Sequence, residues 1–160
     1  MSKDSNMALL DAMYDALNRQ DLDAQSRYWT ADMVWHGPAG FGDIHGLSGF
    51  RDQVLKPFYK AFPDYHAKND IQFTDGENWV AATGFVTGHQ MGEWMGLPPT
   101  GKAMRMRFSD FWLIKDGLFS ENWVIVDHID VLSQLGYHYE SLVNAHGAKA
   151  QILFSDRASG

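Results

Sequence analysis

A carboxyl group without polar company is the first feature of this sequence that could do chemistry. Asp110 lies in the run Met104-Arg105-Met106-Arg107-Phe108-Ser109-Asp110-Phe111-Trp112-Leu113-Ile114. Strict alternation puts it on the same side as Met104, Met106, Phe108, Trp112 and Ile114. Burial among such neighbours disfavours the charged form, so its pKa should rise toward neutrality, where a carboxyl can act as general acid or base. The alternative is a structural carboxylate, paired with Arg105 or Arg107 of a neighbouring register or capping a strand edge. His36 ends the β-prone run Met33 to His36 beside the turn Gly37-Pro38-Ala39-Gly40. An imidazole there could transfer protons near neutral pH. Trp35 and His36 point to opposite faces, however, and the pattern leaves open which of the two enters the interior. Asn122 shares a face with Val124 and Val126, which makes it a candidate donor to a substrate oxygen. Glu121, Trp123, Ile125 and Asp127 share the other face, and Asp127 is placed to cap a following helix. His89 and His128 offer a second proton pair. No His-x-His or His-x-x-x-His spacing occurs, so no metal site is expected, and the chemistry is read as cofactor-independent.

Composition narrows the partners. Among 160 residues, 45% are apolar and 14% aromatic, with six Trp and ten Phe. That is more ring surface than one core of this size requires, and part of it is expected to line a cavity. The candidate lining is Tyr14, Trp29, Trp35, Phe41, His89, Met91, Trp94, Met95, Phe108, Trp112 and Val124, and ordinary core packing is the competing explanation for the rings and thioethers. Trp94 and Met95 lie on a glycine-flanked loop, where they could form a flexible lip over a ligand. Twenty acidic against 13 basic residues give a formal charge of −7, so a nucleic acid backbone would be repelled on average. The absence of cysteine removes disulfides and thiolate chemistry. The first six residues are polar and lead into an amphipathic segment rather than an apolar signal core. Neither secretion nor membrane insertion is therefore expected, and a cytoplasmic location is.

These residues must be held by elements, and their spacing predicts which. Met7, Leu10, Met13 or Tyr14, and Leu17 recur at helical spacing behind a cap at Asp4 or Ser5. Asp23 is expected to cap a second short helix ending near Tyr28 and Trp29. Ser48 should begin a third, with Phe50, Val54, Phe58 and Phe62 on one side and Pro57 kinking or dividing it. Beyond Pro63-Asp64 the period changes to two. Strands are expected over His66–Phe73, Trp79–Met91, Met104–Lys115 and Leu118–Val126, with Asp75-Gly76 and Asp116-Gly117 as tight hairpin turns. A helix from His128 to Leu135 is stopped by Gly136. Three helices followed by a four-stranded antiparallel meander make an α+β fold, and helices on one face of a twisted sheet leave a conical space between the layers.

The run Gly88-His89-Gln90-Met91-Gly92-Glu93-Trp94-Met95-Gly96-Leu97-Pro98-Pro99-Thr100-Gly101-Lys102 resembles the bent strand and loop of SnoaL-like polyketide cyclases. Phe108 to Gly117, Glu121-Asn122-Trp123, Asp127 and Leu132-Ser133-Gln134-Leu135-Gly136 are similar to the same family, as are Trp35-His36-Gly37-Pro38 and Gly46 in the helical half. The resemblance implies the cone-shaped α+β barrel of the nuclear transport factor two-like superfamily. In the cyclases that give the family its name, an aspartate three residues before the position of Asp127 is the general acid and base. Val124 stands there in this chain, so that mechanism does not carry over directly. In ketosteroid isomerase, of similar fold, the oxyanion-binding acid corresponds to Asp110, while its tyrosine falls at Met13 and its catalytic carboxylate at Gly37.

Together these readings predict one domain: a cone over residues 1–136, with 137–160 as a tail of the same domain or a subunit-packing extension. The expected activity is cofactor-independent acid–base chemistry, an aldol-type cyclisation, dehydration or lyase cleavage, on an aromatic or polyketide-like molecule. Asp110 would be the acid or base, His36 its counterpart across the cavity, and Asn122 the donor to an enolate-like oxygen. A non-catalytic small-molecule-binding protein is the alternative. The face opposite Asp110, carrying Phe111 and Leu113, is expected to pair in a homodimer.

Overall fold

The structure, a computed structural model, describes residues 3–137. The tail expected from 137 onward therefore lies outside the described residues except for Tyr137, whose hydroxyl donates to the Pro98 carbonyl at 2.9 Å.

Helix α1 (Lys3–Asn18) begins one residue before the expected cap and buries Leu10, Met13, Tyr14 and Leu17, as its spacing requires. Two asparagines fix it along the sheet edge. Asn6 Nδ2 donates to Thr74 Oγ1 and to the Glu77 carbonyl, each at 3.2 Å. At the other end, Asn18 exchanges bonds with the backbone of Ala67 at 2.7 and 2.9 Å. The expected second helix is only a 3-10 turn, Ala24–Arg27, and Asp23 makes no side-chain cap. Asp21 does that work, its Oδ1 accepting from the Ala24 N–H at 3.0 Å.

Strand β1 (Trp29–His36) is twice the expected length. It pairs antiparallel with the short β2 (Asp43–His45) and parallel with a distant strand near the end of the fold. The parallel register sets Trp29 against Phe119 and Val34–His36 against Glu121–Trp123, and it slips in between. The third helix runs as α2 (Leu47–Phe50), a π turn (Arg51–Leu55) and α3 (Lys56–Ala61). Pro57 cannot donate a backbone bond and its ring crowds the carbonyl one turn back. The wider π turn just ahead of it absorbs the proline, where the sequence predicted a kink or a break.

The meander follows as expected: β3 (His66–Thr74), β4 (Trp79–His89), β5 (Ala103–Lys115) and β6 (Leu118–Val126), then α4 (His128–Gln134). Asp116 and Gly117 both have positive φ, 51° and 83°, the geometry of a two-residue hairpin. Asp75-Gly76 is instead part of a longer loop, because Asp75 Oδ1 gathers the N–H groups of Glu77, Asn78 and Trp79 at 2.8 to 3.1 Å. Asp127 caps α4 as expected, accepting from the Asp130 N–H at 3.0 Å.

The sheet has six strands in the order β2-β1-β6-β5-β4-β3, two more than the meander alone. It is curved and open, and α1 and the α2–α3 rod cover its inner face, so the α+β cone architecture holds. Curvature has a local cause at β3, where the register slips between Asn69 and Ile71. Opposite this slip sits Gly84, where any Cβ would run into the Lys68 carbonyl. The core lies between the layers, with Trp112, Phe62, Phe119, Leu10 and Met13 fully enclosed. Among the described residues no helix is long and apolar enough to cross a membrane.

Candidate active site

The layers do not close completely. A cavity of about 140 Å³ lies between them, and its wall is apolar but for a few groups. Strand β5 supplies Met106, Phe108, Asp110 and Trp112 by alternation, β6 supplies Asn122, Val124 and Val126, and α1 supplies Met13, Tyr14 and Leu17. Trp29 and Trp35 enter from β1, Phe50, Val54 and Phe58 from the α2–α3 rod, and Phe41 and Trp94 from loops.

Asp110 is the carboxyl of this wall. Its Oδ1 is buried and has no hydrogen-bond partner among the described residues. Burial pushes its carboxyl well above the ordinary carboxylate range, and the Asn122 amide offsets only part of that rise. Neither expected arginine is its partner. Arg105 and Arg107 point the other way and lie over the ring of Phe85. Tyr14 and Tyr65 flank the carboxyl. Burial raises both phenols well above their usual range, and the charge of Asp110 adds to the rise in each. Tyr14 is held in place by Phe108 and Trp112, with ring centroids 6.0 Å away in both cases. Asn122 Nδ2 donates to the Phe111 carbonyl at 3.2 Å, which fixes its amide on the cavity wall.

His36 does not stand across the cavity from Asp110. Of the two residues whose direction the sequence left open, Trp35 goes in and His36 goes out, onto the opposite face of the sheet. Its Nδ1 lies 3.0 Å from Asp43 Oδ1 and its Nε2 3.0 Å from Glu121 Oε2, with its ring stacked on Trp123 at 4.6 Å. Burial works against the imidazolium, but the hydrogen bonds to Glu121 and Asp43 outweigh it and raise the pKa.

His89 also lies off the cavity wall and forms no pair with His128. Its Nδ1 is 2.6 Å from Asp64 Oδ2 in a polar depression beside Arg105 and Gln134. The loop between β4 and β5 divides its apolar residues. Trp94 is 5% exposed and lines the cavity, whereas Met91 and Met95 are 60% and 47% exposed and are not part of its wall. Tyr14, Trp29, Trp35, Phe41, Trp94, Phe108, Trp112 and Val124 all stand on the wall.

Two polar wall residues were not in the expected lining. His128 packs its ring near Trp94 and Phe41, at 5.6 and 6.2 Å. Burial holds its imidazole below the ordinary 6.5, with Asp127 offsetting part of the effect. Tyr65 precedes β3. Both were within reach of the parity argument. The inward series Asn122, Val124, Val126 continues to His128 one step past the strand end, and Ala67 leads back to Tyr65 in the same way. Among the described residues no cluster of three or more His, Asp or Glu is placed to hold a metal ion.

A family model, SnoaL-like polyketide cyclase, matches residues 8–135. The chain belongs to the SnoaL-like polyketide cyclase family. The chain is also similar in shape to solved structures. IdmH from Streptomyces antibioticus, a candidate polyketide cyclase, is 29% identical with a TM-score of 0.71, covering 81% of this chain and 97% of its own. AclR from Streptomyces galilaeus, a candidate hydroxylase, is 27% identical with a TM-score of 0.74, over 84% and 98%. A SnoaL-like polyketide cyclase from Agrobacterium tumefaciens is 25% identical with a TM-score of 0.67, over 80% and 95%. No curated protein sequence matches the chain. One register is informative: Val124, where the sequence resemblance places the name-giving cyclases' aspartate, is the direct cross-strand partner of Asp110.

Proposed function

We propose that this SnoaL-like protein is a cofactor-independent acid–base enzyme, an aldol-type cyclase, dehydratase or lyase, acting on a hydrophobic aromatic or polyketide-like small molecule. The observation that carries the reading is the Asp110 carboxyl, one oxygen of it buried without a partner among the described residues, on a wall that is apolar but for a few groups. Directly opposed residues on adjacent strands have Cβ atoms about 5 Å apart. A carboxyl on Asp110 therefore reaches the part of the cavity that a carboxyl at position 124 would serve, so the acid has crossed one strand.

In this reading Asp110 is neutral before the reaction and gives its proton to a substrate carbonyl oxygen as negative charge develops there. His128, neutral because it is buried, takes the role first expected of His36. It accepts the proton from the carbon next to that carbonyl, the C–H electron pair becomes the C=C of an enol, and the carbonyl oxygen keeps the proton from Asp110. Asn122 keeps its part as a polar group near the developing oxygen. Attack of the enol carbon on a second carbonyl, or loss of a leaving group, then completes a cyclisation or an elimination. As this happens the enol hydroxyl returns its proton to Asp110 while the C=O re-forms, and His128 gives its proton to the new alkoxide or to the leaving group, so both residues end as they began.

Val124 favours a second reading, a container without chemistry. Asp110→Asn distinguishes the two. An enzyme should lose turnover by at least about 100-fold, the lower range for removing a general acid, with ligand affinity changed only a few-fold. Unchanged turnover removes Asp110 from the mechanism. The assembly we propose is a cytoplasmic homodimer joined through the outer sheet face, with residues 1–136 as the domain and 137–160 as its extension.

A further inference from the structure

Two side-chain polar atoms of the cavity wall are buried without a partner among the described residues, Asp110 Oδ1 and Trp112 Nε1. Folded interiors rarely leave such groups unpaired, and each instance calls for a reason. The proposed chemistry accounts for Asp110 and leaves the indole N–H unexplained.

Trp112 is 1% exposed, so bulk water cannot complete its hydrogen bond. It sits against the rings of Tyr14 and Phe119, at 6.0 and 5.9 Å, and against Val80 and Asn122 across the two neighbouring strands. All of that packing is available to a residue with no polar atom, and Phe108 fills such a place two steps along the same face. What an indole adds is a donor. Two residues along one strand face are about 7 Å apart, so Trp112 and Asp110 can address the same edge of one bound molecule. The cavity's 140 Å³ is about the space that accepts a single benzene-sized ring.

We infer that the part of the ligand seated deepest is one ring bearing an oxygen, hydroxyl or keto, and that Trp112 Nε1 donates to this oxygen while Asp110 shares a proton with it. This names the substrate class of the proposed acid–base site and rests on that reading for the role of Asp110 alone. Recognition by Trp112 holds whether or not a reaction follows.

Two probes of nearly equal shape test it, 4-fluorophenol and 4-fluorotoluene, followed by fluorine NMR on the full chain. The wild-type protein is expected to bind the phenol at least ten-fold more tightly than the toluene. Trp112→Phe should remove most of that preference and leave the toluene affinity within about two-fold. As a check independent of the variant's folding, the Trp112 indole proton of the wild type should shift downfield with the phenol and not with the toluene. Equal binding of the two probes, binding of neither, or an equal loss of both in Trp112→Phe overturns the inference. Separation of the probes without turnover of any substrate keeps it and removes the enzymatic reading. Turnover that depends on Asp110 without separation does the reverse.

Discussion

A carboxyl whose pKa is raised by folding holds a proton in the native chain that the unfolded chain gives up. For Asp110 the ordinary value is 3.8 and burial lifts it well above. Below pH 3.8 both states are protonated and the residue adds no pH dependence. As pH climbs past that value the unfolded state ionises first, and stability declines by at most about 1.4 kcal/mol per pH unit until the native carboxyl also ionises. Asp110→Asn lacks this decline. Denaturant titrations of wild type and variant should therefore diverge from pH 4 upward, with the variant increasingly the more stable. Curves that stay parallel to neutral pH would show a carboxyl that ionises freely. His36 has the same sign in a higher window: its raised pKa adds stability that is complete below the ordinary 6.5 and fades as pH passes through the raised value. Both carboxylates beside it are more than a third exposed, so solvent keeps that contribution small.

At the level of elements, the loop joining β4 to β5 sets Trp94 into the cavity wall, and two details hold it. Gln90 is fully buried; its Nε2 donates to the Pro98 carbonyl at 3.1 Å and its Oε1 accepts from Thr100 Oγ1 at 2.8 Å. The N–H groups of Met91 and Gly92 both reach the Ala61 carbonyl, at 2.8 and 3.1 Å. A Cβ on Gly92 would stand 2.6 Å from the Lys60 carbonyl oxygen, and backbone yields little. Gly92→Ala should cost about 1–3 kcal/mol and shift Trp94 fluorescence to the red as the loop lifts. Gly96→Ala on the same loop meets nothing within 4 Å and carries only the strain of φ 78°, so its emission should stay put. No red shift in Gly92→Ala would mean that Trp94 is held by something else. The sequence displayed the polar and apolar spacing of this loop, and it displayed the inward face of β5 completely, because alternation is a local property. It did not show that β1 runs from Trp29, since the pairing found there, Trp29 with Phe119, is to a parallel partner far along the chain. Nor did it separate Trp35 from His36: the choice depends on which face of β1 meets the core, and that is decided by β6.

For the whole molecule, the outer face of the sheet carries a band of exposed apolar side chains: Ile71, Phe73, Trp79, Phe111 and Ile125, the last 64% exposed. Paired registers align several of them across the strands, with Phe111 between Ala81 and Trp123. A contiguous apolar band of this kind suits a second copy of the chain. Ile125→Lys should halve the particle mass measured by light scattering at micromolar concentration, and a wild type already at the monomer mass would end the dimer proposal. The pairing of β1 with β6 has a further consequence for how the molecule is made. β6 is the last of the described strands to leave the ribosome, yet it is one of the two central strands of the sheet and bridges β1 to β5. His36 meets Glu121 across 85 residues. Until translation passes that point, the nascent chain presents two unpaired inner strand edges and an open apolar groove, a state prone to association with other chains. Synthesis rate over the codons for β5 and β6, and chaperone cover during it, should therefore govern the yield of folded protein more than changes over those for α1.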